Sequence, residues 1–146
     1  MSSPFTVDNQ GVGMYPTLTM KVDPTANKDF TQTDLDGNLT ACTISGNNQV
    51  GMGSAGDRLF GKVVSVSAEL SAGGIPEICT VQATGVARFK YNPGAAPALN
   101  QQVEVDGAGK VRVASAIADV PAGGLKHRGI VIAKDTANET VDVWLG

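Results

Sequence analysis

The segment from Gln102 to Val113, QVEVDGAGKVRV, can pair with itself in one register only. A three-residue loop at Gly107-Ala108-Gly109 sets Val105 opposite Val111 and Val103 opposite Val113 on one face. The same register sets Glu104 against Arg112 and Asp106 against Lys110 on the other. A slip of one residue would put Val against Arg, so both faces agree on a single hairpin. Gly109 then takes the left-handed position that this loop type requires.

The flanking segments alternate as well. In Lys62–Leu70, Val64, Val66, Ala68 and Leu70 point one way and Ser65, Ser67 and Glu69 the other, the pattern of a half-buried strand. Cys79, Val81, Ala83, Gly85, Ala87, Phe89 and Tyr91 form a second apolar face, opposed by Thr80, Gln82, Thr84, Arg88 and Lys90, until Asn92-Pro93-Gly94 stops it. A last hairpin runs from Arg128 to Lys134, through the loop Asp135-Thr136-Ala137-Asn138, and back from Glu139 to Leu145. Pairing Lys134 with Glu139 sets Ile132 against Val141 and Ile130 against Val143, with Trp144 covering Gly129. The last strand is thereby part of the core sheet, and C-terminal truncation should be damaging. Between the hairpins, the residues from Ala114 have room for a short helical turn before Pro121-Ala122-Gly123-Gly124 ends it. No amphipathic pattern of three helical turns occurs. The expected fold is all-β: a small antiparallel β-barrel or β-tulip-like sandwich of about seven strands, with an extended N-terminal arm.

Composition agrees. Charged residues make up 17% of the 146 and aromatics 5%, and 18 residues are Gly. Helix-rich proteins cover their surfaces with Glu, Lys, Arg and Gln, whereas Thr, Ser, Asn, Val, Ala and Gly suit strands and turns. The charge is unevenly placed. Residues 1–56 hold Lys21 and Lys28 against Asp8, Asp23, Asp29, Asp34 and Asp36, so the whole formal net charge of -3 sits there. We therefore read two parts, an N-terminal arm and loop-rich lobe over 1–56 and a β-barrel domain over 57–146. An acidic chain offers no field to attract phosphates, which argues against a nucleic-acid partner. No stretch is apolar enough for a membrane span, and MSSPFTVDNQ has neither the basic region nor the apolar core of a secretion signal, so synthesis and retention in a cytosol are expected.

Reactive chemistry finds no home in these patterns. Cys42 and Cys79 stand too far apart for zinc or redox spacing and read as small buried apolar residues. His127, flanked by Lys126 and Arg128, reads as a solvated strand-end residue with nothing nearby to orient a general base. Gly51-Met52-Gly53-Ser54-Ala55-Gly56 matches GxGxxG, but it precedes a strand where dinucleotide binding needs a helix, so it reads as a flexible link. Asp34-Leu35-Asp36-Gly37-Asn38 resembles a calcium loop in part, yet its Gly comes too early and no Glu closes a twelve-residue loop. No catalytic residue, metal or cofactor is expected, and the chain does not read as an enzyme. Pro4, Phe5, Val7, Val12, Met14 and Tyr15 are too sparse for a core and too apolar for a solubility tail. They suit docking as an extended strand on the sheet edge of a partner.

Gly85-Val86-Ala87-Arg88-Phe89, a Pro/Gly/Ala linker, Gln101–Asp106 with Gly107-Ala108-Gly109-Lys110, then Arg128–Ile132 and the closing Glu139–Leu145 resemble the small head-decoration, or capsid cement, proteins of tailed bacteriophages. The resemblance covers residues 57–146. It implies a non-enzymatic virion protein in a compact β-barrel or β-tulip that binds the expanded lattice of the major capsid protein as a homotrimer and reinforces it. The six apolar residues of the N-terminal segment then become capsid-contact candidates, and the protein's place is the capsid surface of the virion after synthesis in the host cytoplasm. Two other readings stand beside it: another phage head or tail assembly component, and a β-sandwich module for glycans or another small ligand.

Overall fold

The computed structural model describes residues 17–71, 73–115 and 127–146. The strands are β1 (Thr17–Val22), β2 (Ala41–Gly46), β3 (Gln49–Gly51), β4 (Gly61–Val66), β5 (Ile78–Gln82), β6 (Val86–Lys90), β7 (Val103–Val105), β8 (Val111–Val113), β9 (Ile130–Asp135) and β10 (Thr140–Trp144). Helical structure among the described residues is limited to α1 (Gln32–Asp36) and a single 3-10 turn at Pro93–Ala95. Strands β1-β3-β2-β4-β5 close a barrel, β6-β10-β9 form a three-stranded sheet and β7-β8 a two-stranded one. The fold is all-β as expected, its named strands antiparallel except where β1 runs parallel to β3, with an isolated parallel bridge between Tyr91 and Val111.

The change of composition at Gly56 does not coincide with a change of sheet. β1, β2 and β3 lie before it, yet β1 pairs with β5 from Thr17↔Gln82 to Lys21↔Ile78, and β2 pairs with β4 through Ala41↔Lys62. The first third has few apolar residues, but Met20, Val22, Phe30, Cys42, Val50 and Met52 are all buried in the barrel core. Its acidic residues are partly structural too: Asp23 is buried with Oδ1 accepting from Thr25 N–H at 2.9 Å, and Asp34 Oδ2 accepts from Thr31 N–H at 2.8 Å to box the N-terminus of α1. Gly51–Gly56 is not a flexible link. A Cβ on Gly51 would fall 2.8 Å from Asp23 Cβ and 2.9 Å from the Lys28 carbonyl oxygen, and Lys28 Nζ donates to the Gly53 carbonyl.

Two apolar cores result. One fills the barrel; the other gathers Phe89, Tyr91, Val103, Val105, Val111, Val131, Val141, Val143 and Leu145 from the two smaller sheets. The alternating face read from Cys79 to Tyr91 serves both, Cys79 and Val81 in the barrel and Ala87, Phe89 and Tyr91 in the second core. The run is interrupted at Ala83–Gly85, where Gly85 has φ +78°, and the buried Gln82 amide bridges the break by donating to the carbonyls of Thr84 and Val86, each at 2.9 Å. Arg128 ties the units together, its guanidinium donating to the carbonyls of Phe60, Ala83 and Leu145.

The β7–β8 register is the one read from sequence: Val103↔Val113, Glu104↔Arg112 and Val105↔Val111. Asp106 stands opposite Lys110 as read, its N–H donating to the Lys110 carbonyl at 3.0 Å, and its Oδ1 accepts from the N–H groups of Ala108 at 2.8 Å and Lys110 at 3.0 Å and so caps the turn. Two other registers are corrected by bulges. In β4 the pairing shifts between Val63 and Ser65, so Val63 is buried and Val64 faces solvent, and Leu70 lies exposed beyond the strand. In β9–β10 the pairs are Thr140↔Asp135, Val141↔Lys134, Val143↔Val131 and Trp144↔Ile130, with a shift between Asp142 and Val143. Val131 is therefore the core residue, Ile130 and Ile132 face outward, and Trp144 is 51% exposed. The space beside Gly129 is taken by Val143 Cγ1 and the Trp144 carbonyl, not by the indole. The residues from 116 to 124, read as a short turn and its stop, lie outside the described residues.

Candidate functional site

Glu104 is the middle residue of β7, between two core valines, and sequence alternation turns it away from them. That second face is covered as well. The turn at 54–57 lies along the hairpin, with Gly56 N–H donating to the Val105 carbonyl and Val105 N–H to the Asp57 carbonyl, both at 3.1 Å. Gly107 permits the approach, since a Cβ there would lie 2.9 Å from Ala55 N. Glu104 consequently has no solvent exposure. Its Oε1 accepts from Arg112 Nε at 2.6 Å and from Ser115 Oγ at 2.7 Å. Burial pushes the carboxyl upward, but the hydrogen bonds from Ser115 and Arg112 outweigh that and hold it below the usual carboxylate range. The carboxylate is ionised at neutral pH and bound to a cation whose outer edge reaches solvent.

His127 completes the cluster, which corrects its reading as a solvated residue. Its side chain is 4% exposed, Nε2 lies 2.8 Å from the Ser115 carbonyl oxygen, and Nδ1 lies 3.6 Å from Glu104 Oε2. Arg128, the neighbouring cation among the described residues, is half-buried with its guanidinium on the carbonyls of Phe60, Ala83 and Leu145, so its charge does not mark a solvated strand end. Glu104, Arg112, Ser115 and His127 form a polar cluster in which Glu104 and His127 are buried and Arg112 and Ser115 are half-buried.

Cys42 and Cys79 are free and buried, as read. Burial, with Cys79 nearby, pushes the Cys42 thiol far up, and burial pushes Cys79 up to about 11, so both stay protonated and unreactive. Among the described residues no group of three or more His, Cys, Asp or Glu could hold a metal. A cleft of about 50 Å³ on the outer face of β6-β10-β9 is lined by Arg88, Ala133, Lys134, Asp135, Thr140 and Asp142. Arg88 closes on Asp142 across it, Nε to Oδ1 at 2.7 Å and Nη2 to Oδ2 at 3.1 Å. It is far below the roughly 300 Å³ of small-ligand pockets.

The described surface carries large apolar side chains in several places, Ile44, Val64, Leu70 and Leu99 among them, and two groups lie on paired strands. Trp144 and Ile130 face each other across β10 and β9 with Ile132 on the adjoining bulge, and Leu18 and Ile78 stand out on β1 and β5. The contact candidates Pro4, Phe5, Val7, Val12, Met14 and Tyr15 lie outside the described residues, upstream of β1. No protein-family model matches the chain, and comparison with characterised proteins and with solved structures gives no significant match.

Proposed function

We propose that the chain is a virion structural protein, a decoration or cement protein of a tailed-bacteriophage head, that binds the major capsid protein lattice as a homotrimer. The observation that carries this reading is the outward set Trp144, Ile130 and Ile132, held on a hydrogen-bonded sheet over a packed core. Large apolar side chains on a rigid face suit recognition of another protein surface. The motif resemblance supplies the kind of partner, and repetition over a lattice lets modest contacts suffice.

The test is cosedimentation of the full chain with expanded capsid shells of the parent phage. Retention is expected, with at least about a tenfold loss for Trp144→Ser at unchanged Tm. Deleting residues 1–15 should also weaken retention without lowering Tm. Failure of the unsubstituted chain to bind shells overturns the reading. The exposure of Trp144 also favours a second reading, a module that stacks a ligand on this indole; native mass spectrometry with a glycan panel, read against Trp144→Ser, separates the two.

A further inference from the structure

Two buried polar atoms lie side by side without hydrogen-bond partners, Oε2 of Glu104 and Nδ1 of His127, 3.6 Å apart. On the other side of the ring, Nε2 meets the Ser115 carbonyl oxygen at 2.8 Å. A carbonyl oxygen only accepts, so Nε2 carries a hydrogen. Nδ1 has two remaining states. Bare, it points a lone pair at a carboxylate oxygen where water is excluded, leaving two buried acceptors unsatisfied. Protonated, it becomes a donor to Oε2, and closure by roughly 0.6 Å brings the pair to an ordinary N–H···O distance.

The charges around the ring favour the second state. β7 supplies Glu104, and Arg112 from β8 is already committed to Oε1. Arg128 turns away to three carbonyls, and the Arg58 charge acts on Arg128. Asp57, on the turn beside β7, accepts from Ser54 N–H through its carboxylate. Lys126 lies outside the described residues. Glu104 is thus the anion that the ring meets among the described residues, and its carboxylate has one oxygen left to give.

We propose that Glu104, Ser115 and His127 form a proton-dependent clamp, in which an imidazolium at His127 bridges the Glu104 carboxylate and the Ser115 carbonyl and ties the β7–β8 hairpin to the strand entering β9. Release is a simple proton transfer. Nδ1–H gives its proton to water or hydroxide, the ring keeps Nε2–H, and the carboxylate then faces a lone pair. What remains at this seam is the Nε2–H bond to the Ser115 carbonyl and the backbone bonds from Val103 N–H to the Arg128 carbonyl at 3.4 Å and from Val131 N–H to the Gln101 carbonyl at 3.0 Å. The bridge to Glu104 exists only with hydrogen on Nδ1, so its stabilisation is present in the doubly protonated ring and is lost when rising pH removes that proton.

Because this is the sole histidine, long-range ¹H–¹⁵N NMR of the labelled full chain reads both ring nitrogens without any substitution. The expected spectrum at about pH 7 shows hydrogen on both. The expected Tm falls by about 3 °C or more between about pH 6 and about pH 9, beyond any fall in His127→Gln, which keeps an amide donor for Ser115 but cannot titrate. A ring with hydrogen on Nε2 alone at about pH 7, or parallel Tm profiles in the two proteins, overturns the clamp. If His127→Gln does not fold, the nitrogen spectrum decides alone.

Discussion

Gly61 opens β4 where the barrel leaves no room for a side chain. An added Cβ would lie inside van der Waals contact of the Gln82 carbonyl oxygen and 3.0 Å from Val81 Cγ1. The neighbour is backbone on β5, which cannot swing aside, and Cys42 Sγ also donates to the Gly61 carbonyl at 3.3 Å. Gly61→Ala should therefore destabilise by about 2–3 kcal/mol. Gly37→Ala, whose Cβ would have nothing nearer than 3.5 Å at φ -81°, should be neutral or slightly stabilising. Denaturant unfolding of the two variants checks this, and equal midpoints would mean that β4 and β5 can part without cost. The contrast also marks what can be read from sequence. Gly109, with φ +88°, is legible because its constraint lies inside a hairpin loop, whereas Gly61 is constrained by a strand that follows far along the chain. Glu104 and His127 divide the same way: the pairing of Glu104 with Arg112 is local, and the burial of His127 beneath Glu104 is not.

At the scale of elements, legibility depends on whether both faces of a strand argue for one register. In β7–β8, valines and opposite charges agree, and the pairing is as read. In β9, Ile130, Val131 and Ile132 are consecutive aliphatic residues, so either parity buries something apolar and the pattern cannot choose. The bulge at Asp142–Val143 chooses, and it selects Val131. Val131→Ala should cost about 2 kcal/mol, and Ile132→Ala, from a side chain 44% exposed, less than about 0.5 kcal/mol. The alternating reading gives the reverse order, so thermal unfolding of the pair decides between the registers. The bulge in β4 obeys the same physics, since Val63 and Val64 are interchangeable in the pattern and not in the fold.

Across the whole molecule, the two cores share their boundary. Ala41 belongs to one and its neighbour Cys42 to the other, and a single alternating run passes from β5 to β6 across the break that Gln82 bridges. Composition alone cannot show this, because an acidic, apolar-poor first third looks separable until its few apolar residues are seen inside the barrel. The residues after β10 reach that boundary. Leu145 is buried in the second core, its N–H donates to the Gly85 carbonyl at 2.8 Å, and its carbonyl accepts from Arg128 Nε at 3.2 Å. Gly146 adds an acceptor for Gly85 N–H at 3.2 Å. Ending the chain at Trp144 removes a buried Leu, worth about 2–3 kcal/mol, and hydrogen bonds of about 1 kcal/mol each, and leaves Arg128 with two of its three carbonyls. A loss of about 5–6 kcal/mol is expected, as one cooperative transition at lower temperature in calorimetry, because Arg128 also holds Phe60 of the barrel segment and Ala83 at the break. Two separate transitions would instead mean that the barrel and the second core unfold independently, and a loss below about 1 kcal/mol would remove Leu145 from the seam between them.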